Sequence, residues 1–380
     1  MIRNLGAISV LYGGVAQLRR AWYQRVPSRA RSLTQPVISV GNLVVGGSGK
    51  TPVVAALARL LVERGERPAI LSRGYGRRRP EDGVVVVSTP ERVVEPVERS
   101  GDEPQMLARA LPGVPVIVSP DRHLAGTLAE RRFGCTVHLL DDAYQHLQLR
   151  RDIDLLLMSK ADLDEQVLPS GRLREPIGAA LGADALIVTG TEEEAEAVAA
   201  RLGKTVVFRA VPHFGEARAV HAHGGSVPLA GKRAVAVAGI ARPERFFAAA
   251  RAEGWDVVRD LAYRDHHWFD ARDSGRITAA AAAAGVEVVL TTEKDAMRLD
   301  RGPQPFDELR VAPSTVEGQG SAPHASGAAP HVSGAAPVWA YLPMQMVVEP
   351  AAEFAAWLAA RLDTCRAEAA KQRRRTVRRS

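Results

Sequence analysis

Residues 43–52 read LVVGGSGKTP, and the architecture of the whole chain hangs on whether this is a phosphate-binding loop. Gly46, Gly47 and Gly49, with Ser48 among them, let backbone N–H groups approach phosphate oxygens without obstruction from a Cβ. Lys50 can reach the β- and γ-phosphates, and Thr51 can offer its hydroxyl to Mg²⁺. The G-x-x-x-x-G-K-[ST] pattern lacks its first glycine, because Val44 stands five residues before Gly49. The residues that would touch phosphate are nevertheless all present. PVISVGNLVV before the loop is β-rich, and residues 52–64 carry Ala and Leu at helical spacing. The following helix would add its positive N-terminal end, and Pro52 is tolerated in a first helical turn. The structural alternative is a glycine turn in some other doubly wound fold.

Outward from the loop, strand-like runs alternate with helical ones. Short apolar segments recur at residues 69–72, 114–119, 135–141, 152–158 and 183–190. Near-continuous apolar strands separated by helices predict a mostly parallel sheet covered on both faces. Residues 204–212 read as a linking strand, and a second α/β unit opens at KRAVAVAGI, residues 232–240. The expectation is an α/β protein: a doubly wound, mostly parallel sheet of the P-loop NTPase type plus a second, smaller α/β domain, joined by a two-stranded linker. Boundaries follow at 1–30 for an amino-terminal helix, 31–204 for the nucleotide domain, 205–213 for the linker and 214–312 for the second domain. Residues 313–337, with APHASGA and APHVSGA, read as a low-complexity insertion without a packed core. PVWAYLPMQMVV then returns as a strand and a helix closes the span 338–365, before a basic tail at 366–380.

The chain has 380 residues, 46% hydrophobic and 24% charged, which is ordinary for a globular protein. Net charge is +7, and Lys371, Arg373, Arg374, Arg375, Arg378 and Arg379 carry most of that excess. The body is nearly neutral, which argues against nucleic acid as a partner. The tail reads as a solvated end, with attraction to anionic lipid as the alternative. Cys135 and Cys365 form no C-x-x-C, so neither a disulfide framework nor a zinc site is expected. The apolar run from Leu5 to Val15 is too short to span a bilayer. Followed by Trp22, Tyr23 and arginines at 19, 20, 25, 29 and 31, it suits a helix lying in a membrane interface or packed on the body.

Four further motifs bear on chemistry. TVHLLDD ends a buried strand in Asp141 and Asp142; a carboxylate there can hold Mg²⁺, and adjacent residues on an extended chain point different ways. GDEP puts Asp102 before an apolar helix, as a cap or as a base for an attacking hydroxyl. YRDHHWF carries Asp265, His266 and His267 in the second unit. LLLMSKADL approximates the N-K-x-D guanine reader, with Ser159 in the Asn position and Asp162 facing the base, but no D-x-x-G accompanies it.

The ordered set VGNLVVGGSGKTP, LSRGYGR, GDEP, LDDAYQH, LPSGRLREP, GIARPERFF, YRDHH and TTEKDA resembles the tetraacyldisaccharide 4'-kinases of lipid A biosynthesis. The resemblance covers about residues 8–300 and the terminal strand and helix. It implies phosphorylation by ATP, with Mg²⁺, of the 4'-hydroxyl of a lipid A disaccharide precursor. It also implies peripheral attachment to the cytoplasmic face of the inner membrane, with no obligate protein partner evident. Lys50 and Thr51 then serve ATP phosphates and metal, with Asp141 and Asp142 as the metal-side pair. Asp102 resembles the catalytic base, and His266 its assistant. Arg174 is the cation chosen for the moving phosphoryl group. Arg73, Tyr75, Arg122, Gln145 and Glu175 match substrate-cleft positions, while Thr292, Glu293 and Lys294 resemble a nucleoside-side motif. Ala143 replaces a glycine that the family usually places after the aspartates.

Overall fold

The computed structural model describes residues 2–80, 82–220, 233–299 and 336–377. The low-complexity insertion expected at 313–337 lies, except for its last two residues, outside them. The chain divides into two compact units, Met1–Phe214 with Met344–Ser380, and Gly215–Pro343.

The first unit opens with α1 (Ile2–Arg25) and then β1 (Val37–Asn42), the strand that feeds the glycine loop. After the loop come α2 (Lys50–Glu63), β2 (Pro68–Ser72), β3 (Val85–Ser88), the one-turn α3 (Val97–Ser100) and α4 (Asp102–Ala110). β4 (Val116–Val118), α5 (Arg122–Phe133), β5 (Val137–Asp141), β6 (Ile153–Met158), β7 (Ala185–Thr189), α6 (Glu192–Leu202) and β8 (Val207–Phe214) follow. The second unit holds β9 (Arg218–Ala219), β10 (Arg233–Ala238), α7 (Pro243–Ala252), β11 (Asp256–Ala262), α8 (Ala271–Ala283), β12 (Val288–Thr292), α9 (Glu293–Leu299) and β13 (Val338–Leu342). The chain returns to the first unit as β14 (Met344–Glu349) and α10 (Ala351–Val377).

The large sheet runs β14-β8-β7-β6-β1-β5-β2-β4-β3. It is parallel except at its two edges, where β14 opposes β8 and β3 opposes β4. Alternation along each strand sorts its side chains between two faces. Ile38, Val40, Leu139, Leu155 and Leu157 pack with Val53, Leu57 and Leu61 of α2, Leu107 of α4 and Phe354, Leu358 and Leu362 of α10. Val37 and Leu140 face Ala125 and Ala129 of α5, while Leu156 and Leu186 face Val198 of α6. β1 lies between β5 and β6, so consecutive crossovers leave it in opposite directions. In open α/β sheets the crevice at such a switch point is where ligands bind. The smaller sheet runs β11-β10-β12-β13-β9, with only β9 antiparallel.

Two expectations change. PVWAYLPMQMVV is two strands in two different sheets, not one: Pro343, which has no N–H to donate to a ladder, ends β13 before β14 begins. The basic tail does not start at residue 366, because α10 continues through Val377. Its Ala, Glu, Lys, Gln and Arg content favours helix, and Arg366 forks onto Glu66 with both bonds at 2.8 Å.

Glu130 of α5 ties the entry of β1 to the sheet. Its Oε1 accepts from the Thr34 and Gln35 amides at 2.8 Å and meets His138 Nε2 at 3.2 Å. Burial pushes its carboxyl up, but the hydrogen bonds from His138, Gln35 and Thr34 outweigh this and hold it at about 2, against an ordinary 4.5. Because the folded value lies below the unfolded one, this stabilisation is present above the ordinary value and is lost as pH falls toward the lower one. Glu130→Gln is expected to cost about 2 kcal/mol at neutral pH. In denaturant melts of both proteins, the difference should shrink steadily as the buffer is taken from neutral pH through the acidic range.

Candidate active site

The site is built at the carboxyl ends of β1 and β5, which pair in parallel with Val40 opposite Asp141. Beyond β1 the chain stays extended. Val44 bridges Leu173, Val45 N donates to Arg172 O at 2.9 Å and Arg174 N donates to Leu43 O at 2.6 Å. Val44 is buried with Leu43, Tyr144, Leu156 and Leu173. A valine is therefore accommodated in the motif's first-glycine position because the chain there is still β-like. The turn itself needs glycine: Gly49 has φ 84° and caps α2.

Lys50 Nζ donates to Asn42 Oδ1 at 3.1 Å and Ser48 Oγ at 3.3 Å, and lies 3.6 Å from Asp142 Oδ1. Thr51 Oγ1 donates to Asp141 Oδ2 at 3.4 Å. Asp142 receives a forked pair from Arg174, with Nη1 at 2.9 and 3.0 Å and Nη2 at 3.1 Å. The adjacent aspartates thus turn to different partners. Asp142 does so in the left-handed region, at φ 50°, a conformation Asp tolerates better than most residues. Among the described residues Ala143 has no positive φ, so its methyl group costs the turn nothing in backbone strain.

The electrostatics separate the pair. Burial, then Glu103 and Asp142, push the Asp141 carboxyl up, with Lys50 and Thr51 opposing. Asp141 Oδ1 is buried without a hydrogen-bond partner among the described residues. Burial also acts upward on Asp142, but Lys50 and Arg174 outweigh it and hold that carboxyl low. The influence of Glu103 on Asp141 brings the GDEP motif to the same place. Asp102 begins α4, is 3% exposed, and accepts the Glu103 amide at 2.9 Å.

Arg122 begins α5 and is buried. Burial and then Arg73 lower its guanidinium to about 10, while Asp141 and Asp142 pull it back up. His146 is lowered to about 4 by burial and then by Arg122, Arg151 and Arg73. Arg122 Nε and His146 Nε2 are buried without hydrogen-bond partners among the described residues. Arg73 and Tyr75 lie in the loop after β2, with Tyr75 exposed. Gln145 is held to the site, its Nε2 donating to Asn42 O at 2.9 Å and its Oε1 accepting from Arg174 at 3.3 Å.

Glu175, expected at the substrate cleft, is engaged by α1. It is 5% exposed, and both of its oxygens accept from Arg20 of α1, at 2.6 and 2.8 Å. Asp162 of the SKAD stretch is likewise engaged locally: its Oδ2 accepts the Ser159 amide at 2.7 Å in a capping box. That oxygen is thereby committed to its own turn. Asn42, His146 and Arg20 join the site without having been singled out. The first two stand inside quoted motifs, whereas nothing local distinguishes Arg20 from the arginines around it.

In the second unit, His266 has φ 56° and its amide is held by Gly239 O at 3.1 Å and Asp265 Oδ1 at 3.0 Å. Lys294 Nζ lies 3.3 Å from His266 Nε2 and 3.6 Å from Asp265 Oδ1. Thr292 Oγ1 donates to Asp295 Oδ2 at 2.7 Å, so that hydroxyl serves its own turn. Glu293 begins α9. Buried Asp295 also accepts from Gly239 N at 3.0 Å and Arg298 Nη2 at 2.6 Å, which fixes the loop beside His266.

Residues 1–326 match the family model described as tetraacyldisaccharide-1-P 4'-kinase, LpxK. The chain is 42% identical over 303 residues to a tetraacyldisaccharide 4'-kinase of Geobacter metallireducens, covering 78% of this chain and 88% of the relative. It is 42% identical over 309 residues to that of Geobacter sulfurreducens, covering 78% and 85%. A crystal structure described as the "apo" form of LpxK from Aquifex aeolicus in complex with ATP superposes with a TM-score of 0.70 at 28% identity, covering 95% of this chain and 99% of that one. The chain belongs to the tetraacyldisaccharide 4'-kinase family.

Proposed function

We propose that the chain transfers the γ-phosphoryl group of ATP to the 4'-hydroxyl of a tetraacyldisaccharide 1-phosphate. The observation that carries the reading is the convergence of the phosphate loop, the aspartate pair and the buried Asp102 helix at the ends of β1 and β5. Lys50 and Arg174, both gathered on Asp142, are the cations that would neutralise charge on the moving group. Asp102 accepts the proton of the attacking hydroxyl, and His266 assists the proton transfer. Gly46, Gly47, Ser48 and Gly49 cradle phosphate with their amides. Arg73, Tyr75, Arg122 and Gln145 contribute to acceptor recognition. Arg122, with its buried unpaired Nε, suits an anionic part of the substrate.

The donor set also fits Mg²⁺. That ion prefers oxygen ligands and usually takes one or two carboxylates plus phosphate oxygens. Thr51 Oγ1 and the unpaired Asp141 Oδ1 would hold it, with Asp142 beside them. Bound there, the ion would neutralise negative charge on the transferred group. Thr292, Glu293 and Lys294 are proposed for the nucleoside side, Thr292 through its backbone and the other two through their side chains.

We place the acceptor at a membrane surface, on the cytoplasmic face of the inner membrane. Ile8, Leu11, Val15, Leu18 and Trp22 form an exposed apolar stripe along α1, with Leu11 at 70% and Leu18 at 71% exposure. Arginines follow it closely, the composition of an interfacial helix. Among the described residues no helix is long and apolar enough to cross a membrane.

Four outcomes are expected. With ATP, Mg²⁺ and the tetraacyl disaccharide 1-phosphate in detergent, mass spectrometry should show the lipid gaining one phosphate. Asp102→Ala should reduce kcat about a hundredfold or more; gain by both proteins would remove Asp102 as base, and ATP hydrolysis without lipid phosphorylation would sink the kinase reading. In the same assay, Asp141→Asn should raise the Mg²⁺ concentration for half-maximal rate on the order of tenfold, and an unchanged requirement would take Asp141 out of the metal site. Finally, Leu11→Glu with Leu18→Glu should lower co-sedimentation with phospholipid vesicles roughly tenfold or more, while leaving ATP binding intact.

A further inference from the structure

The helix that carries the apolar stripe presents a second face to the protein. Among the described residues its buried positions are Ser9, Gly13 and Arg20. Ser9 Oγ donates to Ser170 Oγ at 2.8 Å and accepts the Ser170 amide at 3.0 Å. A Cβ on Gly13 would come within 3.3 Å of Pro176, so the backbone of α1 lies close against the segment that contains Arg174 and Glu175. These two contacts already fasten the helix.

Arg20 goes further. Of the arginines at 19, 20, 25, 29 and 31 it alone is buried. Nε and Nη2 donate to the two oxygens of Glu175 at 2.6 and 2.8 Å, and Nη2 also donates to Tyr144 O at 3.1 Å. The guanidinium lies 4.4 Å from the centroid of the Tyr144 ring. Each partner is a near neighbour of a charged group of the site. Glu175 follows Arg174, and Tyr144 stands two residues after Asp142. Arg174 and Asp142 close the circuit with their own forked pair. Arg20, Glu175, Arg174, Asp142, Ala143 and Tyr144 thus form a closed ring of three peptide links and three hydrogen-bonded contacts. Forked arginine–carboxylate pairs fix orientation as well as distance. Gly41 adds a second restraint on this ring, since a Cβ there would sit 2.5 Å from Tyr144 Cβ.

We propose that Arg20 is a positioning residue for phosphoryl transfer: from α1 it holds Glu175 and the Tyr144 carbonyl so that Arg174 and Asp142 keep their mutual alignment. The helix that meets the lipid surface is thereby connected to the cation that meets the moving phosphoryl group. The inference rests on the reading of Arg174 given above.

The test is a double-mutant cycle on the full-length protein in the detergent assay, with Arg20→Met and Arg20→Lys each made alone and combined with Arg174→Ala. Lysine retains the charge opposite Glu175 but has no fork, so this variant keeps the test decisive if Arg20→Met fails to fold. Each Arg20 variant should lower kcat on the order of tenfold to a hundredfold, with KM for ATP changed less than about twofold. In the Arg174→Ala background the same substitutions should have no further effect. A purely structural Arg20 would lower the folded fraction, which thermal melts would report, and would scale the rate equally in both backgrounds. Equal losses in the two backgrounds, or an unchanged kcat in the Arg20 variants, overturn the proposal. If Arg174→Ala abolishes turnover and the Arg20 variants do not lower it, only this inference falls. If Arg174→Ala alone leaves kcat intact, the role given to Arg174 fails and the inference falls with it.

Discussion

Parallel pairing of β1 with β5, in the register that sets Val40 opposite Asp141, governs the geometry of the site. Both strands point the same way, so the glycine loop leaving one and the carboxylates ending the other emerge side by side. Register matters as much as direction. Side chains alternate along a strand, and a slip of one residue would send Asp141 to the opposite face, away from Thr51 and α4. What prevents the slip is the core itself. Leu139 must meet the α2 side and Leu140 the α5 side, and both are fully buried. Hydrophobic burial on two faces thus secures the position of a charged group at the tip.

The same burial makes the site electrostatically costly. Asp141 and Arg122 are buried and Lys50 nearly so, while Asp142 and Arg174 keep 34% and 23% of their side-chain surface exposed. Removing either partner of a buried pair leaves an uncompensated charge. The arrangement lowers that cost unevenly. Lys50 and Arg174 hold the Asp142 carboxyl low, whereas Asp141 has only Lys50 and Thr51 to offset burial and two repelling carboxylates. An aspartate left so poorly matched fits a cation better than it fits an empty protein interior. The left-handed backbone at Asp142 is the local strain accepted to turn the two side chains apart.

How much of this the sequence disclosed follows from how local each feature is. The loop was legible because its glycines, lysine and threonine are consecutive, and the strand and helix on either side obey simple periodicities. The aspartate pair was legible because it ends an apolar run. Val44 looked like a defect only because its bridge to Leu173 lies more than a hundred residues along the chain. The division of PVWAYLPMQMVV between two sheets depends on partners at residues 288–292 and 209–214, although Pro343 marks the place. The partner of Glu175 was hidden for the same reason. A carboxylate beside a cleft arginine looks like a ligand for substrate, and only the fold shows that Arg20 has taken both oxygens.

α1 joins these two themes. Its outer positions, at 8, 11, 15, 18 and 22, and its inner ones, at 9, 13 and 20, follow the same helical repeat with opposite chemistry. On the proposed docking of α1 at a lipid surface, one substrate arrives from water and the other from that surface, so a fixed angle between α1 and the catalytic groups would matter. A flexible tether would hold the body near the membrane and leave its orientation undefined. A buried forked ion pair is a poor choice if only adhesion is needed, because its desolvation offsets much of its attraction. Its advantage is angular: two parallel bonds and a ring contact leave the guanidinium one orientation. Arg20 ends on the residue adjoining Arg174, rather than anywhere else along the body, so the rigidity of α1 is carried to the ion pair between Arg174 and Asp142.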